Sequence, residues 1–210
     1  EGTLQPIASD SAAVSDLRGA LRMMTVFQEL YYANPANRTY ADDHLDLETL
    51  GALNTREAGF LVPQSVAELM PADYKNRTRV LANGDTAEFQ GVKVTAVPMY
   101  NLPEAGARHA RGWGNGYVLT LGGERIYISG DTEGIPEMRN LEDIGVAFVC
   151  MNLPYTMSVD QAASAVLDFK PRIVYPYHFR GKDGFSDVER FKRLVNEGDP
   201  SIEVRLADWY

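Results

Sequence analysis

The segment Tyr117-Val118-Leu119-Thr120-Leu121-Gly122-Gly123-Glu124-Arg125-Ile126-Tyr127-Ile128-Ser129-Gly130-Asp131-Thr132 sets the architecture of this chain. Residues 117–121 and Glu124–Ile128 are two β-rich runs separated by two glycines. Such a link predicts a hairpin, because the tight turns that match strand twist need φ > 0 at their central positions. After Ile128 the apolar run stops, which leaves Asp131 just past the end of a strand. Side chains there project into the crevice that α/β folds use for their sites.

Downstream of this hairpin, strands alternate with helices. Residues 146–151 are wholly apolar and read as a buried strand. Ser158 with Gln161 forms a capping box that opens a helix to about Phe169. Residues 172–177 read as a strand, Ser186 with Glu189 as a second capping box opening a helix to about Asn196, and residues 202–206 as a last strand. This is α/β patterning, with helices covering a mostly buried sheet. Upstream, residues 92–96 alternate as a strand. Apolar spacing of three and four residues predicts a helix over 15–32, and residues 46–53 and 64–70 read as short helices. Loops are expected at 34–38, 71–77 and 101–115. The last carries His109 and is long for a structureless connection, which marks it as a functional candidate.

Composition narrows the function classes. The chain has 210 residues, 45% apolar and 23% charged, which argues against disorder. At about 150 residues per domain, this length suits one domain or two small ones. No apolar run approaches the roughly 18 residues of a membrane span, and no repeat or low-complexity tract is evident. The single cysteine, Cys150, excludes an internal disulfide framework and fits cytoplasm and periplasm alike. The sequence opens at Glu1 rather than Met, which implies processing or trimming. A net charge of −9 makes the chain a poor binder of phosphate backbones. Neither nucleic acid nor a membrane is therefore an expected partner, with homo-oligomerisation left open.

The chain has three histidines, His44, His109 and His178. His178 ends the strand read at 172–177, and His44 lies beside Asp43. Imidazoles and carboxylates together are the ligand classes of divalent first-row ions. Each element also has a plainer reading: Asp131 as a helix N-cap, His178 as a core histidine, Asp43-His44 as a solvated helix start. Cys150, in an apolar strand, reads as an inert core thiol. Tyr100 and Tyr177 read either as packing aromatics or as donors to an oxyanion. Residues 112–116 read as a turn bearing a surface Trp113.

Asn115 to Leu119, Ile126 to Thr132, Met151-Asn152-Leu153-Pro154-Tyr155-Thr156-Met157 and Tyr175-Pro176-Tyr177-His178 together resemble the metallo-β-lactamase superfamily, most of all its lactonase-like, metal-dependent hydrolases. Asp43-His44-Leu45-Asp46 matches the end of that superfamily's His-x-His-x-Asp-His signature. The resemblance implies an αβ/βα sandwich over residues 1–210, with residues 1–38 atypical. It also implies a site for two metals about 3.5–4 Å apart. Asp43, His44, Asp131 and His178 would then be metal ligands, with Asp131 and Asp43 the carboxylates active in catalysis. Asn101, His109, Asn152 and Tyr177 would face the substrate. Zinc is the expected cofactor, with iron or manganese as alternatives.

The two leading signature histidines fall on Thr39 and Ala41, which are poor ligands. One metal per chain is therefore expected, and two only if Asn101 or His109 rebuilds the first position. Four protein ligands would close a tetrahedral site, which is the habit of structural sites. Three readings follow: a hydrolase that attacks a lactone, ester, amide or phosphoester; an inactive relative serving as a binding or structural domain; and an iron protein doing redox chemistry.

Overall fold

Gly122 and Gly123 take φ values of 57° and 83°, and the strands on either side pair antiparallel from Leu121–Glu124 to Tyr117–Ile128. This hairpin lies at the centre of a computed structural model that describes residues 58–207 and Trp209, apart from Gln90. The helices expected over 15–32 and 46–53, and residues Thr39, Ala41, Asp43 and His44, lie outside the described residues.

The strands are β1 (Phe60–Val62), β2 (Thr78–Val80), β3 (Thr86–Phe89), β4 (Val92–Met99), β5 (Gly114–Leu121), β6 (Glu124–Ile128), β7 (Val146–Cys150), β8 (Ile173–Tyr177), β9 (Arg180–Gly181), β10 (Gly184–Phe185) and β11 (Glu203–Val204). The helices are α1 (Gln64–Leu69), α2 (Ala72–Lys75), α3 (Pro136–Arg139), α4 (Val159–Phe169) and α5 (Val188–Gly198). Seven strands form one sheet in the order β11-β8-β7-β6-β5-β4-β3. The β3–β6 part is antiparallel. From β6 to β11 the neighbours are parallel, with α3, α4 and α5 in the successive crossovers. Separately, β1 pairs with β2 in parallel, and β9 with β10 antiparallel.

The core follows from strand alternation. Val118, Tyr127, Ala147, Val174 and Val204 stand in one cross-strand row and are all buried. Ala162, Val166 and Phe169 from α4 and Phe191 and Val195 from α5 join them in one apolar cluster. Tyr127 meets Phe169 edge to face at 5.8 Å between ring centres. Side chains from the alternate row, Leu119, Ile126 and Phe148, are buried as well. Both faces therefore carry buried apolar side chains.

Ser158 caps α4 through the full capping box with Gln161. The second expected capping box is not formed. Asp187 caps α5 instead, accepting from the Arg190 N–H at 2.8 Å, while the Ser186 hydroxyl donates to the Met151 carbonyl. An aspartate suits a helix N-terminus at least as well as serine, and adds its charge to the dipole. Residues 71–77 are not all loop, since α2 begins just after Pro71. Residues 114–116 belong to β5 rather than to a turn. A Cβ on Gly116 would lie 2.6 Å from the Ser129 carbonyl oxygen, so glycine here permits close strand approach. Asp131 is not an N-cap: α3 begins at Pro136, behind Ile135. No helix among the described residues is long and apolar enough to cross a membrane.

Candidate functional site

β4 and β6 both run antiparallel to β5, and β7 and β8 run parallel to β6. Four strands thus end at one edge of the sheet. Each delivers a buried polar residue within three positions of its end: Asn101 after β4, Asp131 after β6, Asn152 after β7 and His178 after β8. The long loop between β4 and β5 adds buried His109.

Asp131 is the hub. Its Oδ1 lies 3.4 Å from His178 Nε2 and its Oδ2 lies 3.7 Å from His109 Nε2. The loop that carries Asp131 is fixed by its neighbours. Gly130 has φ 64°, and a Cβ there would meet the Asn115 carbonyl oxygen at 2.9 Å and Met99 Sδ at 3.0 Å. The Thr132 hydroxyl bridges the backbone N–H and carbonyl of Tyr100, each at 3.2 Å. His178 itself holds φ 47°, a conformation that costs a non-glycine residue on the order of 1 kcal/mol or more.

Asn152 orients the His178 ring. The Thr156 hydroxyl accepts from the Asn152 N–H at 2.8 Å and donates to Asn152 Oδ1 at 2.6 Å. The other end of the amide stands 2.9 Å from His178 Nε2, the ring nitrogen that also lies 3.4 Å from Asp131 Oδ1. Asn101 works differently. It takes the His109 N–H on its Oδ1 at 2.8 Å, donates its own N–H to the His109 carbonyl at 3.0 Å, and donates Nδ2 to the Tyr155 carbonyl at 2.9 Å. Asn101 thereby closes the 102–108 loop and ties it to the turn after Asn152. Arg108 covers the Tyr155 ring at 4.6 Å.

Burial, and secondarily the charge of Asp131, pushes the Cys150 thiol up to about 11. Burial also pushes the Tyr177 phenol well above its usual range; its hydroxyl lies 3.5 Å from Ser129 Oγ. Tyr100 is pushed up to about 12 by burial and by its bond to Glu137. Its hydroxyl donates to Glu137 at 2.9 Å, and Arg111 binds both groups. Partial burial raises Glu133, against hydrogen bonds from the Leu102 N–H and the Asn101 side chain.

Two imidazoles and a carboxylate, all buried and convergent, suit a divalent ion in kind. Among the described residues, no three His, Cys, Asp or Glu side chains are grouped so as to hold one by themselves. The structure thus brings together Asp131, His178, His109, Asn101 and Asn152, sets Tyr177 beside Ser129, and leaves Asp43 and His44 outside the described residues. Sequence reasoning missed Thr156 and Glu133. It also missed the tripeptide Asn-Leu-Pro, which occurs at 101–103 and again at 152–154 and was a readable signal.

Residues 42–179 match the family described as the beta-lactamase superfamily domain. The chain is similar to a UPF0173 metal-dependent hydrolase of Pyrococcus furiosus, 30% identical over 161 residues, covering 74% of this chain and 70% of that one. A UPF0173 metal-dependent hydrolase of Pyrococcus abyssi is 31% identical over 137 residues, 63% of this chain. The match spans only 60% of that relative's length. Among solved structures, a Parabacteroides distasonis protein assigned as a metal-dependent hydrolase superposes with a TM-score of 0.69 at 38% identity, covering 80% of this chain and 72% of its own. Igni18 of Ignicoccus hospitalis shares the fold, with a TM-score of 0.65, 22% identity and coverage of 80% and 72%.

Proposed function

This chain belongs to the beta-lactamase superfamily, in the group of UPF0173 metal-dependent hydrolases, and from that premise we propose that it hydrolyses a small-molecule substrate with a divalent ion drawn to Asp131 and His178. The observation that carries the reading is the convergence of buried Asp131, His178 and His109 at the edge where four strands end. The relatives' names supply the metal and the reaction class; zinc is the ion proposed, and a lactone the first bond to test. When bound, such an ion supplies Lewis acidity and a water acidic enough to attack near neutral pH.

The chain's own groups do the positioning. Asp131 is the acceptor that orients the attacking water and holds its proton on a carboxylate oxygen. His178 Nε2 is the ring nitrogen that faces Asp131, and the Asn152 amide beside it would have to give way for an ion to take that nitrogen. His109 faces the other Asp131 oxygen, so a second ion, if taken up, would draw on these two. Asn101 keeps His109 in place by gripping its backbone on both sides.

Metal content by plasma mass spectrometry, on protein purified without chelators or a His tag, tests the reading. One or two ions per chain are expected, with loss in Asp131→Ala and His178→Ala. A γ-lactone, an aryl ester and a phosphodiester should then be assayed for turnover. A folded His178→Ala protein that keeps its metal and its turnover would overturn the proposal. A metal-loaded wild type inert to every bond class would favour an inactive relative.

A further inference from the structure

Leu102, Trp113, Leu153 and Phe185 are 43%, 48%, 54% and 60% exposed, and they are four of the six exposed large apolar side chains among the described residues. All four lie on the connections at the edge that carries Asp131. Leu102 follows Asn101 and Leu153 follows Asn152, in the two Asn-Leu-Pro turns. Each asparagine is buried and bonded inward, while the leucine one residue on, about 3.8 Å along the chain, is in solvent. The two turns are joined by the Asn101 Nδ2 bond to the Tyr155 carbonyl.

Phe185 belongs to the β9–β10 hairpin, which begins two residues after His178. That hairpin is seated on the second turn. The Lys182 N–H donates to the Leu153 carbonyl at 3.3 Å, and a Cβ on Gly181 would lie 2.5 Å from the same oxygen. Phe179 stands behind Phe185, with ring centres 6.0 Å apart. Trp113 immediately precedes β5, whose Gly114 pairs with Met99 at the end of β4.

Exposed apolar side chains scattered singly need no explanation, but their concentration at one edge does. Here Leu102 and Leu153 each follow a buried asparagine of the candidate site, and the hairpin of Phe185 is bonded to the Leu153 turn. We infer that Leu102, Leu153 and Phe185, with Trp113, form an apolar rim that binds the acyl or aryl part of the substrate while its hydrolysable group reaches Asp131. The inference rests on the proposed hydrolase reading and gives its substrate a class: a bond carrying an extended apolar substituent, not a small polar metabolite. The occupant is the substrate because Leu102 and Leu153 adjoin in the chain the buried asparagines Asn101 and Asn152, which hold His109 and His178 beside Asp131.

The test uses the full chain and a series of saturated carboxylates, butyrate to decanoate, followed by isothermal titration, so that it needs no turnover. Affinity should rise about two- to fourfold per methylene. Leu153→Ser and Phe185→Ser should each flatten that slope. Val80→Ser, an exposed apolar residue on the separate β1–β2 sheet, should not. Wild-type affinity independent of chain length overturns the inference, as does a slope that survives all of Leu102→Ser, Leu153→Ser and Phe185→Ser. Conversion of a dimer to monomer by these variants, with the slope untouched, makes the rim a contact between copies and also overturns it. A length-dependent affinity in a protein that hydrolyses nothing would sink the hydrolase reading alone. Turnover of 4-nitrophenyl acetate with no chain-length preference up to the decanoate would sink the rim alone.

Discussion

Thr156→Val is the sharpest test of the polar lock behind His178. Valine has threonine's shape, so the substitution leaves no cavity and removes only the hydroxyl. That hydroxyl serves two partners on Asn152, the backbone N–H at 2.8 Å and Oδ1 at 2.6 Å, and all of these groups are buried. Each buried polar group left without its partner costs about 1–3 kcal/mol. Two such groups put the loss at about 3 kcal/mol or somewhat more. In a chain of this size that corresponds to a fall of about 6–12 °C in Tm. The assay is urea denaturation, where the midpoint should drop with the slope unchanged. Thr156→Ser keeps the hydroxyl and should lose only the methyl's contribution, about 1 kcal/mol. A second readout is the ring of His178. With the hydroxyl gone, the Asn152 amide is no longer held against Nε2, so nitrogen NMR should show a changed environment at that ring nitrogen. If Thr156→Val stays within about 0.5 kcal/mol of wild type, or Thr156→Ser loses as much, the lock is not what orders this turn.

Other expectations follow from the same geometry. The Cys150 thiol, raised from an ordinary value near 9 to about 11, keeps its proton in the native state where the unfolded chain loses it. Stability should therefore fall as pH climbs from 9 toward 11, by up to about 1.4 kcal/mol per pH unit, and Cys150→Ala should remove that slope between pH 9 and 10. The same thiol should be inert to a disulfide reagent until the protein unfolds; rapid native labelling would contradict its burial. Gly130→Ala, forced to φ 64° with its Cβ against the Asn115 carbonyl, should cost at least about 1–2 kcal/mol and reduce metal content by displacing Asp131. The exposed Arg139–Asp168 pair should matter little: Asp168→Ala should change stability by less than about 1 kcal/mol in a urea titration.

Much of the fold was readable because local and tertiary preferences agree. Gly122-Gly123, the Ser158–Gln161 box and the apolar 146–151 run each specify one local structure, and the sheet accepts all three. Asp131 and His178 were placed at strand ends by the same reading. The reading failed where a local preference had competitors. Ser186 and Asp187 are both good caps, and the hydroxyl was claimed by the Met151 carbonyl across the fold. β1, β2, β9 and β10 are strands of two or three residues, too short to show a period. His109 was visible only as a residue in a long loop. Its burial beside Asp131 depends on Asn101 gripping it from the far end of that loop, a pairing that no periodicity encodes. The Asn-Leu-Pro turns were legible as a repeated word, but their meaning comes from β4 and β7 ending on the same side.

The sheet order has a consequence for biosynthesis. Asp131 leaves the ribosome with β6, but His178 follows only after β7, α4 and β8 have been made. At about 5–20 residues per second, the nascent chain spends seconds with the carboxylate exposed and its imidazole partner untranslated. Only docking of β8 onto β7 completes the pair. If the two groups hold an ion as proposed, its capture is a late event, coupled to closure of the parallel half of the sheet, and a chain stalled before β8 carries the carboxylate alone.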